Sequence, residues 1–203
     1  NWYDKFYYAD YEGIETRKIS YAPSLGVNSI PKFRENDIKR VLQKFDAISV
    51  REEKGAKILF SLVEKEVEVT VDPAFLFSSA EWRELFPIKS NKEQGYVLCM
   101  FLSDKINHWL AAKRFAKKKG LKIIVIPYCG FSYLQKADIQ ADAGLNEVLD
   151  LIRAADYILT DSFHITVFSL IHRKQFYVFQ RFKENKFTST NTRILHLLKE
   201  SNA

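Results

Sequence analysis

Two places in this 203-residue chain carry side chains suited to handling a small anion. Arg51 ends the apolar run Ala47–Val50. A guanidinium fork at a buried strand end can grip a carboxylate or a phosphate through two parallel hydrogen bonds. The run Thr160-Asp161-Ser162-Phe163-His164 turns a strand into a helix. Backbone N–H groups and the positive dipole end at such a turn favour an anion, which makes Asp161, Ser162 and Phe163 candidate substrate-binding positions. His164 falls in the first helical turn, where an imidazole can hydrogen-bond an anion or move a proton near neutral pH. Arg51 and His164 are the catalytic candidates. Ser24, in the Pro23-Ser24-Leu25-Gly26 segment after Ile19–Ala22, joins the substrate-binding set. Structural readings stand beside these. Asp161 and Ser162 are ordinary helix N-cap types. Arg51 can pair with its neighbour Glu52, and Asp72-Pro73 reads as a turn that opens a helix. His108, His172 and His196 lie along helices and read as packing or surface residues.

The elements that must position these residues alternate. Strand-like runs are Ile19–Ala22, Ala47–Val50, Val67–Val71, Tyr96–Phe101, Leu121–Ile126, Tyr157–Thr160 and Phe176–Phe179. Between them, helical spacing covers Arg34–Phe45, Glu52–Val63, Ala80–Phe86, Asp104–Lys119, Leu145–Arg153 and Ser162–His172, and Asn191–Lys199 closes the chain. Asp104 is expected to cap its helix and Gly120 to stop it. This alternation predicts parallel β-α-β units in two doubly wound, Rossmann-like α/β lobes, and ligands of such sheets bind outside the carboxyl ends of the strands. The polar stretch Lys89–Gln94 is the expected linker, with residues 1–88 in the first lobe and 95–203 in the second.

Composition narrows the function classes. Apolar residues make up 47% of the chain and charged residues 28%, which excludes a disordered composition. The net charge of +6 favours anionic partners. The basic residues are scattered, however, and no nucleic-acid-binding signature accompanies them, so nucleic acid is not an expected partner. Neither Walker loop nor G-x-G-x-x-G nor G-x-S-x-G is present, and no Cys/His cluster has zinc spacing. Cys99 and Cys129 read as separate thiols suited to a reducing compartment. No apolar run is long enough to span a bilayer. The chain starts at Asn1 without an initiator Met, and both ends read as cut from a longer protein.

Five blocks taken in order resemble the polysaccharide pyruvyl transferase family of bacteria. They are Ser20-Tyr21-Ala22-Pro23-Ser24-Leu25-Gly26, Ile48-Ser49-Val50-Arg51-Glu52, Val71-Asp72-Pro73-Ala74-Phe75-Leu76-Phe77 with Glu81-Trp82, Ala155-Asp156-Tyr157-Ile158-Leu159-Thr160-Asp161-Ser162-Phe163-His164 with Thr166-Val167-Phe168-Ser169, and Asn191-Thr192-Arg193-Ile194. They cover nearly the whole chain. Ile165 departs from the family, which usually has glycine after the histidine. A β-branched side chain there is expected to crowd a backbone that approaches ligand closely. The family pattern begins well before Asn1, so the first lobe is expected to be incomplete.

The resemblance implies a two-lobed, glycosyltransferase-B-like fold and a phosphoenolpyruvate-dependent, ketal-forming transferase of exopolysaccharide synthesis. Phosphoenolpyruvate is the donor substrate and no cofactor is implied. The acceptor is a saccharide or lipid-linked saccharide. The implied location is cytoplasmic, peripheral at the inner membrane face. Arg51 is assigned to the donor's carboxylate or phosphate, and His164 to donor binding and general acid catalysis. The Ser162–His164 backbone is assigned to an anionic group, while Asp161 orients His164 or caps the helix. Two other readings stay open: a nucleotide-sugar glycosyltransferase of similar fold, and a non-catalytic carbohydrate-binding relative. Oligomeric state is not legible.

Overall fold

A computed structural model of the chain describes residues 4, 6–11, 13, 16–87, 95–182 and 191–201. It divides into two compact units, one comprising Asn1–Pro73 with Phe182–Ala203 and the other Ala74–Arg181. The expected linker 89–94 lies outside the described residues.

The first unit is built on three parallel strands in the order β1 (Ile19–Ser20), β2 (Ala47–Val50), β3 (Glu68–Val69). Helices α1 (Lys32–Leu42) and α2 (Glu53–Val63) are the crossovers. Each places its apolar stripe inward: Ile38, Val41 and Leu42 from α1, and Ala56, Leu59 and Val63 from α2, pack with Ile48 and Val50 of β2. β3 is shorter than the run Val67–Val71 and exposed on both residues.

The second unit carries a five-stranded parallel sheet in the order β6-β5-β4-β7-β8. Its strands are β4 (Tyr96–Met100), β5 (Lys122–Val125), β6 (Ile139–Gln140), β7 (Tyr157–Thr160) and β8 (Gln175–Val178), with the short helix α5 (Gly130–Tyr133) between β5 and β6. Side chains alternate across it. Tyr96, Leu98, Ile124 and Ile158 face helices α6 (Leu145–Ala154) and α7 (Phe163–Ile171). Val97, Cys99, Val125 and Leu159 face helix α4 (Ile106–Lys119) through Trp109, Ala112 and Ala116. Burial pushes the Cys99 thiol up to about 12, and both cysteines are free thiols. Gly120 ends α4 in the left-handed region at φ 68°, as its sequence position predicts. The cap at the other end differs from expectation: Lys105, not Asp104, is the N-cap, and no side chain caps the helix.

Helix α3 (Ser79–Leu85) was expected in the first lobe; it packs with the second unit. Ala74, Trp82 and Phe86 lie against the core that contains Leu98 and Phe168, and the Trp82 and Phe168 rings meet edge to face at 5.0 Å. Arg153 of α6 donates to the carbonyls of Trp82 at 2.8 Å and Phe86 at 2.7 Å, at the C-terminal end of α3. His172 Nδ1 meets Ser79 Oγ at 2.8 Å. The boundary therefore follows packing rather than the polar stretch. At the other end, Phe182–Ala203, with helix α8 (Asn191–Glu200), groups with the first unit rather than the second.

Among the described residues, no helix is long and apolar enough to cross a membrane.

Two outcomes follow from the attachment of α3. Arg153→Ala strips two carbonyls and Asp150 of a buried partner, and should lower the unfolding free energy by about 3 kcal/mol in a urea titration. His172 is buried, its Nε2 has no hydrogen-bond partner, and Arg153, Arg83 and Lys174 add to the burial that lowers its imidazole to about 4. An unfolded imidazole titrates near ~6.5. Between these values the unfolded chain binds a proton that the folded chain refuses. The His172 contribution is therefore complete above pH ~6.5 and is lost as pH falls toward 4. Urea midpoints measured from pH 7 to pH 4.5 should fall less steeply in His172→Gln than in the parent. Equal slopes would remove His172 as a source of the acid sensitivity.

Candidate functional site

The predicted residues fall into two groups, one in each unit. In the first, Arg51 follows β2 directly. Its side chain is 13% exposed, and its Nη1 donates to the buried Asp72 Oδ2 at 2.5 Å. Asp72, read from sequence as a turn residue, is thus the partner of Arg51, and Pro73 begins a 3-10 turn, Pro73–Leu76. Glu52 does not pair with Arg51. It is 4% exposed, and its Oε1 accepts from Ser24 Oγ at 2.9 Å, the Leu25 N–H at 2.8 Å and the Gly26 N–H at 3.3 Å. The hydroxyl of Ser24 is therefore directed to Glu52. Gly55 gives Glu52 its room, since a Cβ at that position would lie 3.3 Å from Glu52 Cγ.

Ser49 knits the three strands of this unit. Its hydroxyl donates to the Ser20 carbonyl and accepts from the Ala22 N–H and from Thr70 Oγ1. Ala22 lies at φ 51°, a left-handed conformation that non-glycine residues seldom adopt, and it directs the chain into Pro23-Ser24. A cavity of about 830 Å³ opens within this unit, with Tyr7, Tyr8, Tyr21 and Ser24 among its lining and Leu42 and Val50 at its apolar side. Ser24 is the predicted site residue that lines it.

In the second unit, β7 delivers Thr160, Asp161 and Ser162 to the start of α7. The Thr160 hydroxyl donates to the Met100 carbonyl at 2.7 Å and accepts the Ser162 N–H at 2.9 Å. Ser162 is the N-cap, but its side chain caps nothing. Ser162 and Phe163 are buried, and of the four residues Asp161–His164 it is His164 whose side chain is exposed. Its ring meets that of Phe163 edge to face at 5.4 Å. Phe163, buried, is a support for His164 rather than a stacking surface.

Asp161 corrects two expectations. Its carboxylate neither caps α7 nor bonds His164. At 0% exposure it accepts from the Leu102 N–H at 2.6 Å and from Ser103 Oγ at 2.5 Å, with His108 Nδ1 at 3.7 Å. His108, read as packing or surface, is buried in this network. Burial lowers its pKa, and the Asp161 charge opposes that shift. Arg181 donates to the Asp161 carbonyl at 3.1 Å. Sequence reasoning missed Ser103, His108 and Arg181. A signal existed for two of them: Ser103 and Arg181 follow the strand runs ending at Phe101 and Phe179, the positions where ligands of a doubly wound sheet gather.

Ile165 also departs from expectation. Its side chain is 4% exposed and packs among Leu98, Ile124, Ile158 and Phe168, so it fills the core instead of crowding the open side of the corner. Among the described residues, no three His, Cys, Asp or Glu side chains are grouped to hold a metal ion.

The fold has solved relatives. UDP-GlcNAc 2-epimerase of Methanocaldococcus jannaschii, solved with UDP-GlcNAc and UDP, is similar with a TM-score of 0.55 at 14% identity, covering 92% of this chain. UDP-GlcNAc 2-epimerase of Neisseria meningitidis, solved with UDP-GlcNAc, gives 0.50 at 12% identity over 91%. This chain spans 63% and 61% of those chains, respectively. At such identities the likeness establishes the fold, two parallel α/β lobes of glycosyltransferase-B-like type. No curated protein matches the chain in sequence. A family model does, over residues 1–181, a span that includes Arg51 after β2 and the Asp161–His164 corner after β7. The chain belongs to the polysaccharide pyruvyl transferase family.

Proposed function

We propose that this protein transfers the carbon skeleton of phosphoenolpyruvate to a saccharide or lipid-linked saccharide as a ketal, in the cytoplasm during assembly of a cell-surface polysaccharide. Family membership supports the transferase class. One observation in the geometry carries the finer reading: His164 is the exposed side chain of an otherwise buried strand-to-helix corner. An imidazole so placed can reach a substrate, while its neighbours hold the backbone fixed.

The chemistry balances with the donor and acceptor alone. A proton goes to the methylene carbon of phosphoenolpyruvate, which becomes the methyl group. The adjacent carbon turns electrophilic and forms bonds to two acceptor hydroxyl oxygens. Its bond to the phosphate oxygen breaks and inorganic phosphate leaves. Of the two hydroxyl protons released, one replaces the proton consumed at the methylene carbon and one leaves with phosphate. His164 is assigned the proton transfer and contact with the donor. Arg51 is assigned the donor's carboxylate or phosphate, with Asp72 holding one arm of the fork.

Titration calorimetry on the full-length protein tests this. Phosphoenolpyruvate should bind, and His164→Ala should weaken binding at least tenfold, about 1.4 kcal/mol. Arg51→Lys keeps a cation beside Asp72 while removing the fork, and should weaken binding similarly. Unchanged affinity in both variants removes these residues from the donor site. A nucleotide-sugar reading predicts the reverse pattern: saturable UDP-GlcNAc binding and none by phosphoenolpyruvate.

A further inference from the structure

Asp161 is fully buried, and both of its oxygens are engaged by the loop that follows β4. Oδ1 takes the Leu102 N–H at 2.6 Å and Oδ2 takes the Ser103 hydroxyl at 2.5 Å. Hydrogen bonds to an ionised acceptor are short and about twice as strong as neutral ones. The Ser103 hydroxyl also lies 3.4 Å from His108 Nδ1 on the first turn of α4. Asp161 thus joins the end of β4 and the start of α4 to the corner that carries His164. β4 and β7 are paired neighbours, and they are the strands between which the order β6-β5-β4-β7-β8 reverses its direction of winding. Ligands of open parallel sheets sit at that reversal.

The same device occurs in the other unit with different residues. Glu52, two residues after β2, gathers a serine hydroxyl and two backbone N–H groups from the loop after the neighbouring strand β1. In both units a buried carboxylate at one strand end fixes the loop of the adjacent parallel strand. This repetition argues that what is held is the placement of loops at the ligand end of the sheet. Core burial alone would be served as well by apolar side chains.

We propose that Asp161 and Ser103 are a positioning pair for the transfer reaction, holding the segment Leu102–Lys105 against the β7–α7 corner as a fixed wall of the donor subsite beside His164. The proposal rests on the donor reading given above. Asp161 is enclosed and touches no substrate; it acts through Ser103 and the Leu102 amide.

The test uses the full-length protein and phosphoenolpyruvate as the probe. Ser103→Ala should raise the phosphoenolpyruvate dissociation constant at least fivefold, and Ser103→Thr, which keeps the hydroxyl, should stay within twofold of the parent. Asp161→Asn should speed hydrogen exchange at the Leu102 amide at least tenfold, measured without phosphoenolpyruvate. A Ser103→Ala protein that melts lower but binds the donor as tightly as the parent overturns the proposal, because its role is then structural only. Unchanged Leu102 exchange in Asp161→Asn overturns the tether itself. If the parent binds no phosphoenolpyruvate, the donor reading fails and takes the functional half of this inference with it, while the exchange result still decides whether the tether exists.

Discussion

Parallel sheets deliver their chain ends, and hence their polar backbone groups, into one crowded edge, and those groups must find partners there. In this protein two carboxylates solve the problem. Asp161 closes the edge between β4 and β7, and Glu52 closes the edge between β1 and β2. Each is nearly or fully shielded from water; Asp161 has hydrogen bonds on both oxygens, whereas Glu52 gathers its three bonds on Oε1. The loops after the strands, and the helices that begin from them, are placed by these hydrogen bonds. His164 is exposed because its neighbours Asp161, Ser162 and Phe163 are turned inward and anchored.

The sheet of the second unit is covered on both faces. On one, Ile165 of α7 packs among Leu98, Ile124, Ile158 and Phe168. A glycine at that position would leave the space empty, and burial of an isoleucine side chain is worth roughly 2–3 kcal/mol. On the other face Phe101 meets Trp109 at 4.9 Å and Phe179 at 5.3 Å, and His108 lies against Phe179 at 4.8 Å. These rings enclose the Asp161–Ser103–His108 network. The low local polarity strengthens its hydrogen bonds and disfavours the charged form of the imidazole.

The chain belongs to the polysaccharide pyruvyl transferase family, and its parallel α/β fold is shared with UDP-GlcNAc 2-epimerases. Fold alone leaves the chemistry open, because the same lobes serve unrelated reactions. The choice between donors therefore falls to the strand-end residues, where the likeness to the epimerases at 14% and 12% identity carries no weight.

Much of this was written in the sequence. Apolar periodicity located β2, β4, β5 and β7 and the helices between them, because side-chain direction along a strand or helix is a local property of the backbone. Gly120 announced its own left-handed stop. The strand-end position of Arg51 and the corner of His164 were legible for the same reason. Partners were not. That Arg51 meets Asp72 across 21 residues, that Asp161 reaches Ser103 across 58, and that Arg153 holds α3 across 67 and 71 are consequences of which strands become neighbours. Lys89–Gln94 looked like a boundary because it is polar, yet α3 joined the second unit because Trp82 and Phe86 had a core to enter. Local composition governs what a segment can become; the free energy of burying it against a distant segment decides where it goes and which polar atoms it must satisfy there.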